Sequence, residues 1–340
     1  MAGKAGKAGN AGKGTARRGT IVSMDATAFR AALDAGEPLL LDGGLSTQLE
    51  DQGNDLSDAL WSARLLIEAP EQIVRAHLAY FRAGARVATT ASYQATFEGF
   101  ARRGIGHVAA AGLLRESVAL AAEARTRAEA EDAAAGGAAR SRYVAASVGP
   151  YGAMLADGSE YRGRYGMTVA RLRDFHRERL AVLEATPADI LAVETIPEVE
   201  EAAAVASLLA EVEGAAAWVS FSCADGAHLR SGAPVEEGVA AVDGVPGVVA
   251  VGLNCTAPEH ADELVARIRA VTTLPIVVYP NSGEGWDAAT RRWTGEGRDR
   301  VDVAAAARWR SLGATLIGGC CRVTPDQVAG LVPAMGAGGR

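Results

Sequence analysis

Cys320 and Cys321 stand side by side in LIGGCCRVTP, directly after Gly318 and Gly319, and they are two of only four cysteines in the chain. A disulfide between them is strained, because neighbouring Cα atoms lie about 3.8 Å apart and a relaxed bridge wants roughly 4.4–6.8 Å. Ordinary core packing explains them poorly, since neighbours on a strand point to opposite faces. Two thiolates turned onto one metal ion need a third ligand, and Cys255, at the end of GVVAVGLNC, supplies it. Soft thiolates select zinc among the common cytoplasmic metals. Three protein ligands leave a fourth position open, as in catalytic zinc sites. The expected metal ligands are therefore Cys255, Cys320 and Cys321 around one Zn2+ per chain, with the two glycines freeing the backbone to turn both cysteines the same way. Buried apolar thiols are the plain alternative.

These residues must be positioned by a repeating scaffold. From residue 37 onward, short apolar runs alternate with Ala-rich helical stretches. The runs span 38–44, 86–93, 142–150, 189–195, 216–223, 247–255, 275–282 and 314–321, and near-continuous apolar segments mark strands covered on both faces. Pro70, Pro197, Pro258 and Pro325 open helices, with Gly84 and Gly214 closing two of them,. The face Ile73, His77, Leu78 and Phe81 turns inward. The stretch 123–141 reads as a helix end followed by a surface loop. Eight such units predict a single (β/α)8 TIM barrel, with a doubly wound open sheet as the rival. In a barrel the C-terminal strand ends share one rim, so Asp42, Glu194, Cys223, Cys255, Cys320 and Cys321 collect where active sites form.

The chain has 340 residues, 49% hydrophobic and 5% aromatic, and no apolar run approaches the ~20 residues of a membrane span,. The N-terminus lacks the apolar core of a secretory signal. Four cysteines suit a reducing cytoplasm rather than a disulfide scaffold,. Lys4, Lys7, Lys13, Arg17 and Arg18 give the first 20 residues a charge of +5; the chain's −7 less that +5 leaves −12 on the remainder. Such an acidic body argues against a nucleic-acid partner, and a membrane partner is not expected either. The division expected is a disordered low-complexity tail over 1–22, the barrel over 23–335 and a flexible end over 336–340.

A trithiolate centre keeps electron density on a fourth, incoming sulfur, which suits alkylation of a thiol better than generation of hydroxide. Here the sequence resembles the homocysteine S-methyltransferases, of the single-domain type that uses S-methylmethionine or S-adenosylmethionine. The resemblance runs from about Pro38 to Val332 through LDGGLSTQLEDQG, TTASYQATFEGFARRG, SVGPYGAMLADGSEYRGRYG, VETIPE, SFSCADGAHLRSG, VGLNCTAPE, VVYPNSGEGWD and GGCCRVTP. It implies a (β/α)8 barrel, zinc on the three cysteines, and methionine as product. It also supports Asp42 and Glu194 as partners of the homocysteine ammonium. Backbone N–H groups of Gly43 and Gly44, with the Thr47 hydroxyl, are candidates for its carboxylate. Asn254 is a candidate to orient a zinc ligand. Tyr93, Phe97 and Trp286, with Tyr151, Tyr161 and Tyr165 as further rim aromatics, are candidates to hold a sulfonium donor by cation–π attraction. Cys223 is expected to be a neighbour rather than a ligand, and the five histidines to be structural. Two alternatives remain: the homocysteine-binding module of a betaine- or corrinoid-dependent system, and a non-catalytic zinc- or redox-sensing barrel.

Overall fold

The structure is a computed structural model that describes residues 24–56, 61–137, 140–287, 292–294 and 302–336, together with Met1 and Gly297. The basic tail expected over 1–22 lies outside the described residues, apart from Met1, as do residues 337–340.

Eight parallel strands form one sheet: β1 (Leu39–Leu40), β2 (Val87–Thr89), β3 (Tyr143–Val148), β4 (Ile190–Ile196), β5 (Ala217–Phe221), β6 (Val248–Asn254), β7 (Ile276–Tyr279) and β10 (Ala314–Ile317). The order β1-β10-β7-β6-β5-β4-β3-β2 is closed by a parallel bridge between Leu41 and Val87. There the Asp42 N–H donates to Val87 O at 3.0 Å and the Arg86 N–H to Leu40 O at 2.7 Å. This is the expected barrel, and the open-sheet rival is excluded. A short antiparallel hairpin, β8 (Gly285–Asp287) with β9 (Arg292–Thr294), rises between β7 and β10; it was not expected from the sequence.

The alternation of side chains along each strand divides the core in two. Leu40, Val144, Ala146, Val148, Leu191, Val193, Val219, Phe221, Val251, Leu253, Val278 and Ile317 face outward into the main cluster under the helices. Leu39, Leu41, Val87, Tyr143, Ala145, Ile190, Ala192, Trp218, Ala250, Val277 and Leu316 face inward and fill the barrel. Phe29, on the helix Thr27–Asp34, plugs one end of this interior against Tyr143 and Trp218, with ring centroids 5.1 and 6.4 Å away. The interior is packed so closely that a Cβ on Gly252 would lie 1.8 Å from Val277 O.

The helices follow their sequence signals with shifts at the ends. Pro70–Arg82 has its proline in the first turn and Gly84 just beyond it at φ +104°. Thr324 closes a capping box on Pro325–Leu331,. The helix expected from Pro197 starts two residues later as Val199–Leu209, because Glu198 is still extended. Pro258 opens a single 3-10 turn that leads into Ala261–Val271. The stretch 123–141, expected to be a helix end followed by a surface loop, is helix as far as Ala134, the end of the 28-residue His107–Ala134. Ala-rich sequence favours the helix intrinsically, and ion pairs Arg127–Glu71 and Arg82–Glu131 dock it on Pro70–Arg82.

Candidate metal centre and substrate pocket

The inward file of side chains changes character toward the C-terminal strand ends. On β3 the run Tyr143, Ala145 continues to Ser147; on β4, Ile190 and Ala192 continue to Glu194; on β5, Trp218 continues to Ser220. On β6, Ala250 and Gly252 continue to Asn254, and β7 continues from Val277 to Tyr279. Every one of these polar side chains is buried, so each needs a partner. They find one another. Tyr279 Oη donates to Glu194 Oε2 at 3.0 Å, and Ser147 Oγ donates to Glu194 Oε1. Ser220 Oγ lies 2.7 Å from Tyr279 Oη and 2.8 Å from Asn254 Oδ1. Asn254 Oδ1 accepts the Thr195 N–H at 2.7 Å, while Asn254 Nδ2 donates to Thr195 Oγ1 at 2.8 Å and faces Cys320 Sγ at 3.9 Å. One connected network therefore runs from a carboxylate to a thiol.

The thiols follow the strand ends rather than sitting in them. Cys255 is the first residue after β6 and takes a left-handed φ of +45°. Cys320 and Cys321 lie three and four residues beyond β10. All three sulfurs fall within 4.8 Å of one another: Cys255 Sγ is 2.7 Å from Cys320 Sγ and 3.5 Å from Cys321 Sγ, and no disulfide joins them. The two glycines work by close approach, not by a turn. Neither has positive φ, but a Cβ on Gly318 would lie 2.8 Å from Asp42 O, and one on Gly319 2.2 Å from the Val323 side chain. Backbone bonds from Gly319 N–H to Asp42 O and from Cys320 N–H to Pro280 O fix this segment against its neighbours.

Three soft sulfurs converging from two strand ends fit a metal ion. Ligands about 2.3 Å from one zinc lie under about 4 Å apart, which the pair at 3.5 Å already meets. Within the cluster the Cys255 thiol is held well below its ordinary range by hydrogen bonds from Cys320 and Cys321, and those two are raised by the same contacts. Cys223 stands apart: buried in the outer core, with its thiol pushed up to about 12 chiefly by burial, it does not join the group.

The cavity beside the thiols is lined by Asp42, Gly43, Gly44, Leu45, Ser46, Thr89, Thr90, Ala91, Tyr93, Gln94, Tyr161, Glu194, Thr195, Cys255, Tyr279, Gly319, Cys320 and Cys321. Asp42 Oδ2 accepts the Thr89 N–H at 2.7 Å and Oδ1 the Thr89 hydroxyl at 3.0 Å. Burial raises Asp42 to about 8 and Glu194 to about 7, overriding those hydrogen bonds. No lysine, arginine or histidine lines this cavity among the described residues. Two carboxylates that burial disfavours as anions, next to a group of thiols, call for cationic company.

Several sequence expectations come together here and several do not. Asp42, Gly43, Gly44, Glu194, Tyr93 and the three cysteines share the cavity, and Asn254 lies behind Cys320. The Gly44 N–H, expected to be free for a carboxylate, donates instead to Val323 O at 2.9 Å. Thr47 is buried, and its Oγ1 accepts the Arg322 N–H at 3.0 Å; Leu45 and Ser46 take its expected place on the wall. Phe97 stacks on His107 with centroids 4.5 Å apart and is not on the wall, because Thr96 caps its helix and turns the ring outward onto the core. Trp286 falls on strand β8, and its side chain lies outside the described residues. Tyr151 and Tyr165 pack on each other, 5.3 Å apart, away from the cavity. Tyr161 does reach it, with Oη 3.9 Å from Cys255 Sγ. Sequence reasoning named none of Ser147, Ser220, Thr89 and Tyr279; their signal was parity, each lying an even number of residues from an inward apolar position or facing one that does.

The sequence model for homocysteine S-methyltransferase matches residues 39–335 of this chain. The chain is 48% identical over 304 residues to the homocysteine S-methyltransferase of Escherichia coli, covering 89% of this chain and 97% of that one. It is 45% identical over 297 residues to a homocysteine S-methyltransferase of Bacillus subtilis, covering 87% and 94%. Its fold is similar to the solved metallated form of the homocysteine methyltransferase MmuM from Escherichia coli, with a TM-score of 0.79 and 46% identity over 89% of this chain and 98% of that one.

Proposed function

The chain belongs to the homocysteine S-methyltransferase family and is a methyltransferase acting on a thiol, and from that premise we propose that it transfers a methyl group from S-methylmethionine, or more slowly from S-adenosylmethionine, to homocysteine at a zinc ion, giving methionine. One observation carries this reading: three convergent thiols open onto a cavity that also holds Asp42 and Glu194 and no basic side chain.

Cys255, Cys320 and Cys321 would hold the metal, which when bound supplies the Lewis acidity that removes the proton of an incoming thiol. Asp42 and Glu194, ionised by the arrival of a cation, take the homocysteine ammonium. Thr89 fixes the first carboxylate through two hydrogen bonds and Ser147 with Tyr279 fix the second. Asn254 braces the end of β4 at Thr195 and faces Cys320. With the thiol proton already gone no general base is needed, consistent with a cavity wall free of histidine.

Attack of a thiolate on a sulfonium methyl cancels charge, so the transition state is less charged than the bound pair. Only contacts that strengthen on the way to that state accelerate the step. The ring faces of Tyr93 and Tyr161 can orient a sulfonium without clamping an anion on its sulfur,. The test is a donor panel with homocysteine as acceptor and no corrinoid present. S-methylmethionine should be the best donor, S-adenosylmethionine slower and betaine inert; turnover of betaine faster than either sulfonium would show the assignment to be wrong.

A further inference from the structure

Three buried carboxylates stand near the thiols, and only two of them are fully engaged by protein donors. Asp42 and Glu194 each accept two hydrogen bonds. The third, Glu160, lies in the single turn Ser159–Tyr161 on the connection after β3. It is 8% exposed, and its Oε2 is buried with no hydrogen-bond partner. A buried carboxylate oxygen without a partner is costly unless a ligand completes it. The nearest cation does not do so: Arg162 turns away to Ser159 Oγ at 2.8 Å and Asp157 Oδ2 at 3.4 Å.

Glu160 is next in the chain to one wall of the cavity, although it does not itself line it. Its chain neighbour Tyr161 lines the wall with Oη 3.9 Å from Cys255 Sγ. Burial, and to a smaller extent the charge of Cys255, raises Glu160 to about 7, and its own charge in turn raises Tyr93, Tyr161 and Tyr165. Gln94, beside Tyr93 on the wall, has its Oε1 buried and unpartnered as well. The two unfilled acceptors thus belong to the chain neighbours of the two wall tyrosines, whereas Asp42 and Glu194 are held by strand-end donors.

We propose that the Glu160 carboxylate binds the ammonium group of the amino-acid methyl donor, leaving Asp42 and Glu194 to the ammonium of homocysteine. The proposal rests on the sulfonium-dependent reaction above. An amino-acid donor brings a second ammonium four bonds from its sulfur in S-methylmethionine. That charge does not change during methyl transfer, so a carboxylate on it binds ground and transition states alike and lowers KM without opposing the step. The same carboxylate placed on the sulfonium would hold the ground state too firmly. Glu160 is therefore a specificity residue for donors that carry an ammonium group.

The test compares the metal-loaded wild type with Glu160→Gln and Glu160→Asp, using S-methylmethionine and, separately, trimethylsulfonium, which has no ammonium. In Glu160→Gln the KM for S-methylmethionine should rise about tenfold or more, with kcat and the KM for homocysteine nearly unchanged. Turnover of trimethylsulfonium should be the same as in wild type. Glu160→Asp, which keeps the charge, should recover part of the loss. An unchanged KM for S-methylmethionine in Glu160→Gln overturns the inference, and so does an equal loss with both donors, which would assign Glu160 to the sulfonium itself or to the fold. If the wild type methylates homocysteine from neither sulfonium, the donor reading falls first and this inference with it.

Discussion

Replacing Asn254 by alanine should both destabilise the protein and weaken homocysteine binding, and the structure sets the scale of each. The Asn254 side chain is fully buried and holds Thr195 by two bonds, Oδ1 from its N–H at 2.7 Å and Nδ2 to its Oγ1 at 2.8 Å. Thr195 is β-branched yet sits at φ +63°, a conformation that costs about 1–3 kcal/mol and persists only when the surroundings impose it. Removing the amide leaves a buried backbone N–H unsatisfied, which costs about 1–3 kcal/mol. Loss of the bond to Oγ1 adds about 1 kcal/mol. Ser220 adds nothing further, because it keeps Tyr279 Oη at 2.7 Å. Relief of the strain at Thr195 returns part of this, so the net loss should be about 1–3 kcal/mol. The relaxation moves the residue next to Glu194, so the homocysteine KM should rise about tenfold, within the penalty that small misplacements carry. Thr195→Gly keeps the N–H and removes the Cβ penalty at that φ, which offsets loss of the bond from Asn254 Nδ2 to Oγ1, so it should lose less stability than Asn254→Ala,. Urea unfolding gives the stability and steady-state kinetics at saturating donor give the KM. If Asn254→Ala is within about 0.5 kcal/mol of wild type with its kinetics intact, the bracing role is refuted.

Alanine at Cys255, Cys320 or Cys321 should abolish both bound zinc and activity, while Cys223→Ala should keep the metal; elemental analysis of the purified variants decides, and full occupancy in Cys320→Ala would remove the assigned ligand set. In the substrate-free protein burial raises Asp42 to about 8 and Glu194 to about 7, above their ordinary 3.8 and 4.5, so between about pH 4 and 8 the folded state holds protons that the unfolded chain has released and stability should fall as pH rises. Methionine carries the same ammonium as homocysteine but no thiol, and it binds the ionised carboxylates, so its affinity should increase from pH 6 to 8 by calorimetry and that slope should flatten in Asp42→Asn; a slope unchanged in that variant would clear Asp42 of the role.

The barrel was legible because its strands are apolar on both faces and its helices carry proline at their starts, signals that survive without any tertiary information. The cluster of three thiols was legible for a different reason. Vicinal cysteines are chemically unusual, and the strand count alone placed Cys255 on the same rim. What the sequence concealed was set by packing across strands. Whether Phe97 or Tyr161 faces the cavity depends on how each rim loop folds back, and Thr96 capping its helix sends Phe97 to His107. Glu201 reads as a first-turn acid answering a helix dipole. It is instead fully buried, accepting the Tyr151 N–H at 2.6 Å and facing His176 Nε2 at 2.8 Å. Arg179 completes that cluster at 3.0 Å from His176 Nδ1. Residues from three helices meet there, and no local pattern announces it.

The distribution of charge ties the site to its reaction. Among the described residues the cavity wall presents three thiols and two carboxylates and no cationic side chain, so the carboxylates receive hydrogen bonds from the protein but no countercharge from the wall. Burial favours the protonated carboxyls, raising Asp42 to about 8 and Glu194 to about 7. On the proposed reading positive charge then comes from the occupants: a metal for the sulfurs, and the ammonium groups and the sulfonium of the two reactants for the rest of the cavity. Such a site has a built-in direction. Before transfer, a sulfonium adds a cation to an anionic cavity and is drawn in. After transfer that charge no longer exists, since the acceptor thiolate and the donor sulfonium have become two neutral thioethers, and the electrostatic reason for retention weakens for both products at once. A basic residue on this wall would undo the effect by satisfying the carboxylates permanently, which is a physical reason for the wall to lack one.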